Sequence, residues 1–107
     1  QELNVYLDKD TDDGILYEPR IERNDSNNTL PCKKSVAINV NHPFYKKVYK
    51  AHYQENTVVQ ALDYILWTLG MAELNNISPD SKEEIEDLRR YVSINLKKLV
   101  DHLPDHD

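Results

Sequence analysis

The side chains best suited to chemistry in this chain of 107 residues are four histidines and a single cysteine. The histidines are His42, His52, His102 and His106. No pair of them completes an HExxH motif or a CxxC-type metal site. Cys32 and His42 are close in sequence, but nucleophilic catalysis also needs an orienting group and an oxyanion hole, and no motif supplies either. The pattern therefore predicts no catalytic residue and no metal centre.

The acidic segment of residues 8–14 (DKDTDDG) invites a comparison with calcium-binding loops. An EF-hand loop that began at Asp8 would need Gly at its sixth position and Glu at its twelfth. This chain has Asp13 and Pro19 there, and the flanking residues alternate as strands do. The segment is therefore predicted to be a solvated hairpin turn, and weak cation binding of another kind stays open.

The two glycines of the chain, Gly14 and Gly70, do not form a phosphate-binding loop, which needs several glycines close together. The sequence therefore predicts no nucleotide cofactor. Gly70 lies inside an apolar helical pattern, where glycine costs ~1 kcal/mol relative to alanine. We expect a neighbouring element to approach it closely.

Composition limits the partners. The net charge is −6, and an acidic chain is a poor general ligand for nucleic acid. No apolar run is long enough to span a membrane, and no signal peptide is visible at the N-terminus. The single cysteine, Cys32, favours a reducing, cytoplasmic setting. Because the chain begins with Gln1, we expect a fragment or a processed product.

Alternating apolar residues predict a small antiparallel sheet within residues 1–42. The alternating positions are Leu3, Val5 and Leu7, then Ile15 to Tyr17, then Val36, Ile38 and Val40. Pro19 should restrict the second strand to an edge. Residues 24–31 are polar and are predicted to form an exposed loop.

A helical region follows from residue 43, where Asn41-His42-Pro43 is predicted to join the last strand to a helix over residues 43–54. Three tyrosines share one face of that helix, with lysines between them. The predicted partner surface consists of Tyr45, Lys46, Tyr49, Lys50 and Tyr53. Aromatics at this spacing more often pack in a core or an interface, which is the favoured interpretation here, and a surface for a protein partner and stacking on nucleic-acid bases are the alternatives.

The second predicted helix runs from Thr57, at the start of a capping box, to about Asn75. It is apolar nearly all round, so it should be buried nearly all round. Because one sheet and one further helix cannot cover every side of it, we expect a dimer interface, or a contact with the rest of a parent chain, at one exposed side. The residues of that predicted interface are Tyr64, Trp67, Met71 and Leu74. In the alternative, the tyrosine-bearing helix folds over this side.

The third predicted helix starts either at Ser78-Pro79 or at the capping box of Ser81, and it ends before Pro104. It carries one apolar stripe on an otherwise charged surface, so it should pack one side only. The stripe consists of Ile85, Leu88, Val92, Leu96, Leu99 and Leu103. The whole chain is therefore predicted to be one α+β domain, with a sheet in residues 1–42 and helices in residues 43–104.

Residues 38–45 (INVNHPFY), followed by Val48 and Tyr49, resemble a segment that lies downstream of the ATPase module in some bacterial and phage proteins of the histidine kinase/gyrase B/HSP90-like (GHKL) ATPase superfamily. The apolar pattern of residues 61–74 is similar to the helix that comes next there. The D-x-G-x-G nucleotide loop of that superfamily has no counterpart, because residues 12–16 (DDGIL) lack the second glycine. The resemblance implies a C-terminal region without the ATP-binding module.

Together these observations predict a non-catalytic accessory or assembly domain of a larger GHKL-like ATPase protein, which mediates inter-domain packing or homodimerisation. A free-standing protein-binding adaptor is the first alternative, and a small enzyme is the second.

Overall fold

The computed structural model of the protein describes residues 3–11, 14–22 and 33–104. Three strands come first: β1 (Val5–Asp8), β2 (Tyr17–Glu22) and β3 (Lys33–Asn39). Two long helices, α1 (Asn56–Asn76) and α2 (Lys82–Val100), come last. The predicted α+β class, with the sheet before the helices, is confirmed. The predicted loop of residues 24–31 lies outside the described residues.

The sheet is mixed, because β3 lies between the two strands that precede it in the chain. The strand order is β1–β3–β2, with β3 parallel to β1 and antiparallel to β2. The expectation of a wholly antiparallel sheet was wrong for a geometric reason. Since β1 and β2 run in opposite directions on either side of β3, β3 must be parallel to one of them.

The connection between β1 and β2 is consequently not a hairpin turn, which corrects the prediction for residues 8–14. Two strand spacings of about 4.8 Å separate β1 from β2, so a tight turn could not join them. Gly14 has a positive φ of 91° in this connection, a conformation that glycine adopts at little cost. Pro19 lies in the edge strand β2, as predicted.

The central strand is buried on both faces. Val36 and Ile38 belong to the hydrophobic core, together with Leu16, Tyr17, Tyr49 and Leu66. Ser35, Ala37 and Asn39 point to the opposite face and are also buried. Small and amide side chains fit there because the neighbouring strands cover this face with longer polar side chains.

The chain between β3 and α1 is a short irregular helix. Helical structure begins at Pro43 and continues as a π-helical turn (Tyr45–Tyr49) and a 3₁₀ turn (Lys50–His52). The predicted regular helix over residues 43–54 is therefore present only in shortened form. α1 begins at Asn56, one residue before the expected capping residue, and no side chain caps it.

α1 packs on β2 and β3 with one face only. The expectation that it would be buried nearly all round was wrong, since Leu66 and Gly70 are its only fully buried residues. A sheet of three strands covers one side of a helix, and α2 does not close over the opposite side. Among the described residues, no helix combines the length and the apolar character needed to cross a membrane.

α2 begins directly after Ser81, as predicted, although the Ser81 hydroxyl bonds to the preceding turn instead of capping the helix. Its buried residues are Ser93 and Val100, and Arg89 is nearly buried with them. The predicted apolar stripe lies to one side of this packed face. Leu88 and Leu99, two members of the stripe, are therefore exposed.

Candidate functional site: an apolar groove between two helices

His42 is a structural residue at the junction between β3 and the irregular helix. The Phe44 backbone N–H donates to His42 Nδ1 at 3.0 Å, and His42 Nε2–H donates to the Ser93 carbonyl oxygen at 2.8 Å. The two bonds assign the neutral tautomer with the proton on Nε2. Burial lowers the pKa of His42, and the nearby Lys97 acts in the same direction. The histidine thus caps the helix start and fastens it to α2.

Ser93 is not activated as a nucleophile by this histidine. Its hydroxyl donates to the Arg89 carbonyl oxygen and accepts the Leu16 backbone N–H, each at 2.8 Å. The bond to His42 involves the Ser93 carbonyl oxygen, so the imidazole does not reach the hydroxyl proton. Ser93 was missed by sequence reasoning, because a lone serine on a charged helix carries no signal of such contacts.

The acidic segment is fixed by hydrogen bonds to the Asp8 carboxylate. The Asp8 carboxylate accepts the Asp10 backbone N–H at 3.1 Å, the Thr11 hydroxyl at 2.9 Å and the Arg20 guanidinium at 2.7 Å. These bonds lower the pKa of Asp8 to about 2, and the bond from the Asp10 N–H has the largest effect. Asp12 and Asp13 lie outside the described residues. Because a guanidinium already occupies the Asp8 carboxylate, a cation would have to compete with it.

The residues of the predicted partner surface differ in burial and do not form one surface. Tyr49 is buried, and its hydroxyl donates to Asp63 of α1 at 2.8 Å. Tyr45 stacks on Tyr49 with ring centroids 5.4 Å apart, whereas Tyr53 is exposed. Two lysines of the set, Lys46 and Lys50, line an open hollow together with Tyr45, Val40 and Ala51.

The side of α1 that bears Tyr64 is also divided. Trp67 and Met71 are partly buried and pack against the core cluster. Leu74 is half-buried, and Tyr64 is 55% exposed. The expectation that these four residues form an interface stays a prediction. Tyr64 is the most exposed of the four.

A further apolar surface lies in a trough between α1 and α2. We call it the interhelical groove and define it by its two walls. The wall from α1 consists of Leu62, Ile65, Leu69 and Ala72, and the wall from α2 consists of Ile85, Leu88, Val92 and Leu96. Leu16, Tyr17, Phe44 and Leu66 form the floor. One end of the groove holds about 350 Å³.

The sequence contains both walls as regular spacings. On α1, Leu62, Ile65, Leu69 and Ala72 recur at intervals of three and four residues, as in a coiled-coil seam. The apolar stripe of α2 supplies the facing wall. What the sequence does not disclose is that the two stripes stand apart instead of packing on each other.

A polar clamp spans the groove floor. The Arg89 Nε donates to one Glu73 carboxylate oxygen at 2.8 Å, and the Tyr17 hydroxyl donates to the other at 2.5 Å. The Glu73 and Arg89 side chains are 13% and 11% exposed. Burial and the adjacent carboxylate raise the pKa of Tyr17. The clamp joins β2, α1 and α2, and it holds the groove walls at a fixed separation.

Glu73 could have been singled out from the sequence, since a carboxylate in an otherwise apolar helix needs a buried partner. Its partner could not, because Arg89 sits among many charges on α2. The described residues contain no cluster of three or more His, Cys, Asp or Glu side chains that could hold a metal ion. No family model, curated protein or solved structure matches this chain.

Proposed function

We propose that this chain is a non-catalytic assembly domain that binds an amphipathic helix in the interhelical groove. The observation that carries the proposal is the groove itself, whose walls are apolar side chains from α1 and α2. Grooves of this kind are a recurring way to bind an amphipathic helix through side chains at intervals of three and four residues. Contiguous exposed apolar side chains rimmed by polar residues are a common mark of interaction sites.

The energetics favour an occupant. Leu88 is 64% exposed and Ile65 is 56% exposed, and Leu69 lies beside them. Full burial of one such side chain stabilises a complex by ~1.5–3 kcal/mol. These side chains supply part of that gain, and the apolar side chains of the bound helix must supply the rest to offset the association cost of ~4–15 kcal/mol.

The resemblance of residues 38–49 to a region downstream of GHKL-type ATPase modules supports a parent protein of that kind, bacterial or phage, in a cytoplasmic setting. The partner helix then belongs to another copy or to the remainder of the parent chain. A free-standing adaptor would use the same groove. A reading frame that continues upstream of Gln1 into an ATPase module would favour the assembly domain, and its absence would favour the adaptor.

The test uses a matched pair of substitutions on α1. Ile65 and Tyr64 are adjacent and equally exposed, at 56% and 55%, but only Ile65 lies in the groove. The probe is a fluorescein-labelled amphipathic peptide of about three heptads, with leucine at the a and d positions and balanced Lys and Glu elsewhere. Fluorescence anisotropy should show binding to the unaltered chain.

Ile65→Asp should abolish probe binding, because it places a charge in the apolar wall, whereas Tyr64→Asp should leave it unchanged. Loss of binding in the Tyr64 variant alone would instead place the interface on the side with Trp67 and Met71. Equal probe binding by the Ile65 and Tyr64 variants would count against the interhelical groove as the binding site. Circular dichroism of each variant controls for folding.

A further inference from the structure

The exposed edge of α2 that borders the groove has a regular order of residue types. Leu88 is 64% exposed and Tyr91, one turn further along, is 67% exposed. Glu84 lies seven residues before Tyr91 and Lys98 seven residues after it, so the three share one line along the helix. This line is therefore apolar at its centre and carries opposite charges at its two ends.

The other charges of α2 follow the same order in part. Acids outnumber Lys82 in the first turns, which carry Glu83, Glu84, Glu86 and Asp87, and the last turn carries Lys97 and Lys98. The groove wall from α1 carries no charge, and the carboxylates of Asp63 and Glu73 are bonded to Tyr49 and to the polar clamp. A partner of this surface must therefore match α2, with positive charge near Glu84 and negative charge near Lys98.

A second copy of α2 has that charge order when it runs antiparallel. We propose that α2 of a second copy packs on this edge of α2, antiparallel to the first and beside the interhelical groove, with Tyr91 on the twofold axis. The proposal goes beyond the groove, because it gives the assembly domain proposed above a second contact surface. Closed twofold dimers present the same patch on both subunits, and a patch centred on one residue satisfies this requirement.

The arrangement fixes two ion pairs. With Tyr91 on the axis, Glu84 lies opposite Lys98 of the partner subunit, and the same pair recurs on the other side of the axis. A parallel arrangement would instead place the acidic halves together. Each copy would bury the exposed faces of Leu88 and Tyr91 against the other, beside the groove walls.

The same charges also suit α2 by itself, because acids near a helix N-terminus and lysines near its C-terminus oppose the helix dipole. Exchanging the charges of Glu84 and Lys98 distinguishes ion pairs across the dimer from the effect of the helix dipole. Glu84→Lys and Lys98→Glu should each weaken the dimer at least about tenfold in sedimentation equilibrium, because each places like charges together. The double variant should recover the affinity of the unaltered chain to within about threefold, although the dipole effect alone would make it the least stable of the three.

Glu86→Lys is the matched control, since Glu86 is exposed on the far side of α2, and it should leave the dimer unchanged. A double variant weaker than both single variants, or a dimer indifferent to all of these changes, would overturn the proposal. A chain that stays monomeric while Ile65→Asp still abolishes binding of the peptide probe would also overturn it. That last result would leave the groove function intact, so the two failures are distinguishable.

Discussion

Gly70 of α1 lies against Val36 of β3 so closely that a Cβ atom placed on Gly70 would come within 2.5 Å of Val36 Cγ2. The same Cβ would lie 3.4 Å from Pro19 Cβ in the neighbouring strand. This is the close approach that a glycine inside an apolar helix predicted. The contact sets the distance between α1 and the sheet. It therefore also sets the height of the α1 wall of the groove above the sheet.

Gly70→Ala should accordingly destabilise the fold, even though alanine is the better helix former. Overpacking costs ~1–3 kcal/mol, and the gain in helix propensity offsets about 1 kcal/mol of it. We expect a net loss of up to about 2 kcal/mol in the free energy of unfolding, measured by denaturant titration. In the double variant Gly70→Ala/Val36→Ala the two effects should be less than additive. Full additivity would show that the two residues do not compete for space.

Removal of one member of the polar clamp should cost more. Glu73→Gln leaves the Arg89 guanidinium nearly buried without its counter-charge, and breaking a buried pair in this way costs ~3–5 kcal/mol. Denaturant titration should therefore show a loss at the lower end of this range, because the pair is not wholly buried. Glu86→Gln, at an exposed carboxylate of α2, serves as the control and should change little. Equal stability of the two variants would mean that the clamp contributes nothing to the fold.

His42 should make stability depend on pH near neutrality. Burial holds its pKa below the ordinary histidine value of 6.5, so the unfolded chain binds a proton more readily than the folded one. The stabilisation is complete above pH 6.5 and declines as the pH falls towards the lowered pKa. The slope approaches about 1.4 kcal/mol per pH unit for one proton.

The measurement compares unfolding free energies from pH 5 to pH 8 in the unaltered chain and in His42→Gln. The variant should lose the His42 share of the slope, whatever its absolute stability. A pH dependence identical in both proteins would show that His42 does not contribute it.

Arg20 should hold β1 in the sheet, because its guanidinium reaches across β3 from β2. It donates to Asp8 at 2.7 Å and to the Tyr6 hydroxyl at 2.6 Å, and both acceptors belong to β1. Ala37 lies beneath these side chains, which explains why it is fully buried. Arg20→Met should therefore increase amide hydrogen exchange in β1 more than in α1.

The same substitution should raise the pKa of Asp8 part of the way from about 2 towards 3.8, since the bonds from Asp10 and Thr11 remain. The stabilisation that the Asp8 charge provides is present above pH 3.8 and is lost as the pH falls to about 2. Carboxyl-carbon NMR titration measures the shift. An unchanged Asp8 titration would mean that Arg20 does not act on this carboxylate.

The elements of this fold were accessible from the sequence to the extent that local patterns determine them. Alternation in Val36 and Ile38 identified a strand, and the spacing of Leu62, Ile65 and Leu69 is typical of one apolar face of a helix. The role of His42 at a strand-to-helix junction followed from the adjoining Pro43. Each of these inferences depends on neighbours within a few residues.

The parts that sequence reasoning missed depend on contacts between distant residues. The insertion of β3 between β1 and β2 leaves no trace in any single strand. The pairing of Glu73 with Arg89 joins two helices, and many other residues of α2 carry charge. The separation of α1 from α2 results from how the sheet and the clamp position them, so the apolar stripes alone suggested a closed core.

The position of β3 in the middle of the sheet also bears on how the chain is made. A protein folds during synthesis from its N-terminus, so β1 and β2 leave the ribosome before the strand that pairs with both of them. Until residue 39 has emerged, these two strands have no partner in the sheet, and their edges are open to other chains. Shortened chains that end before this residue should be prone to aggregation and rapid proteolysis, whereas chains that extend beyond α1 have every strand and the helix that covers them.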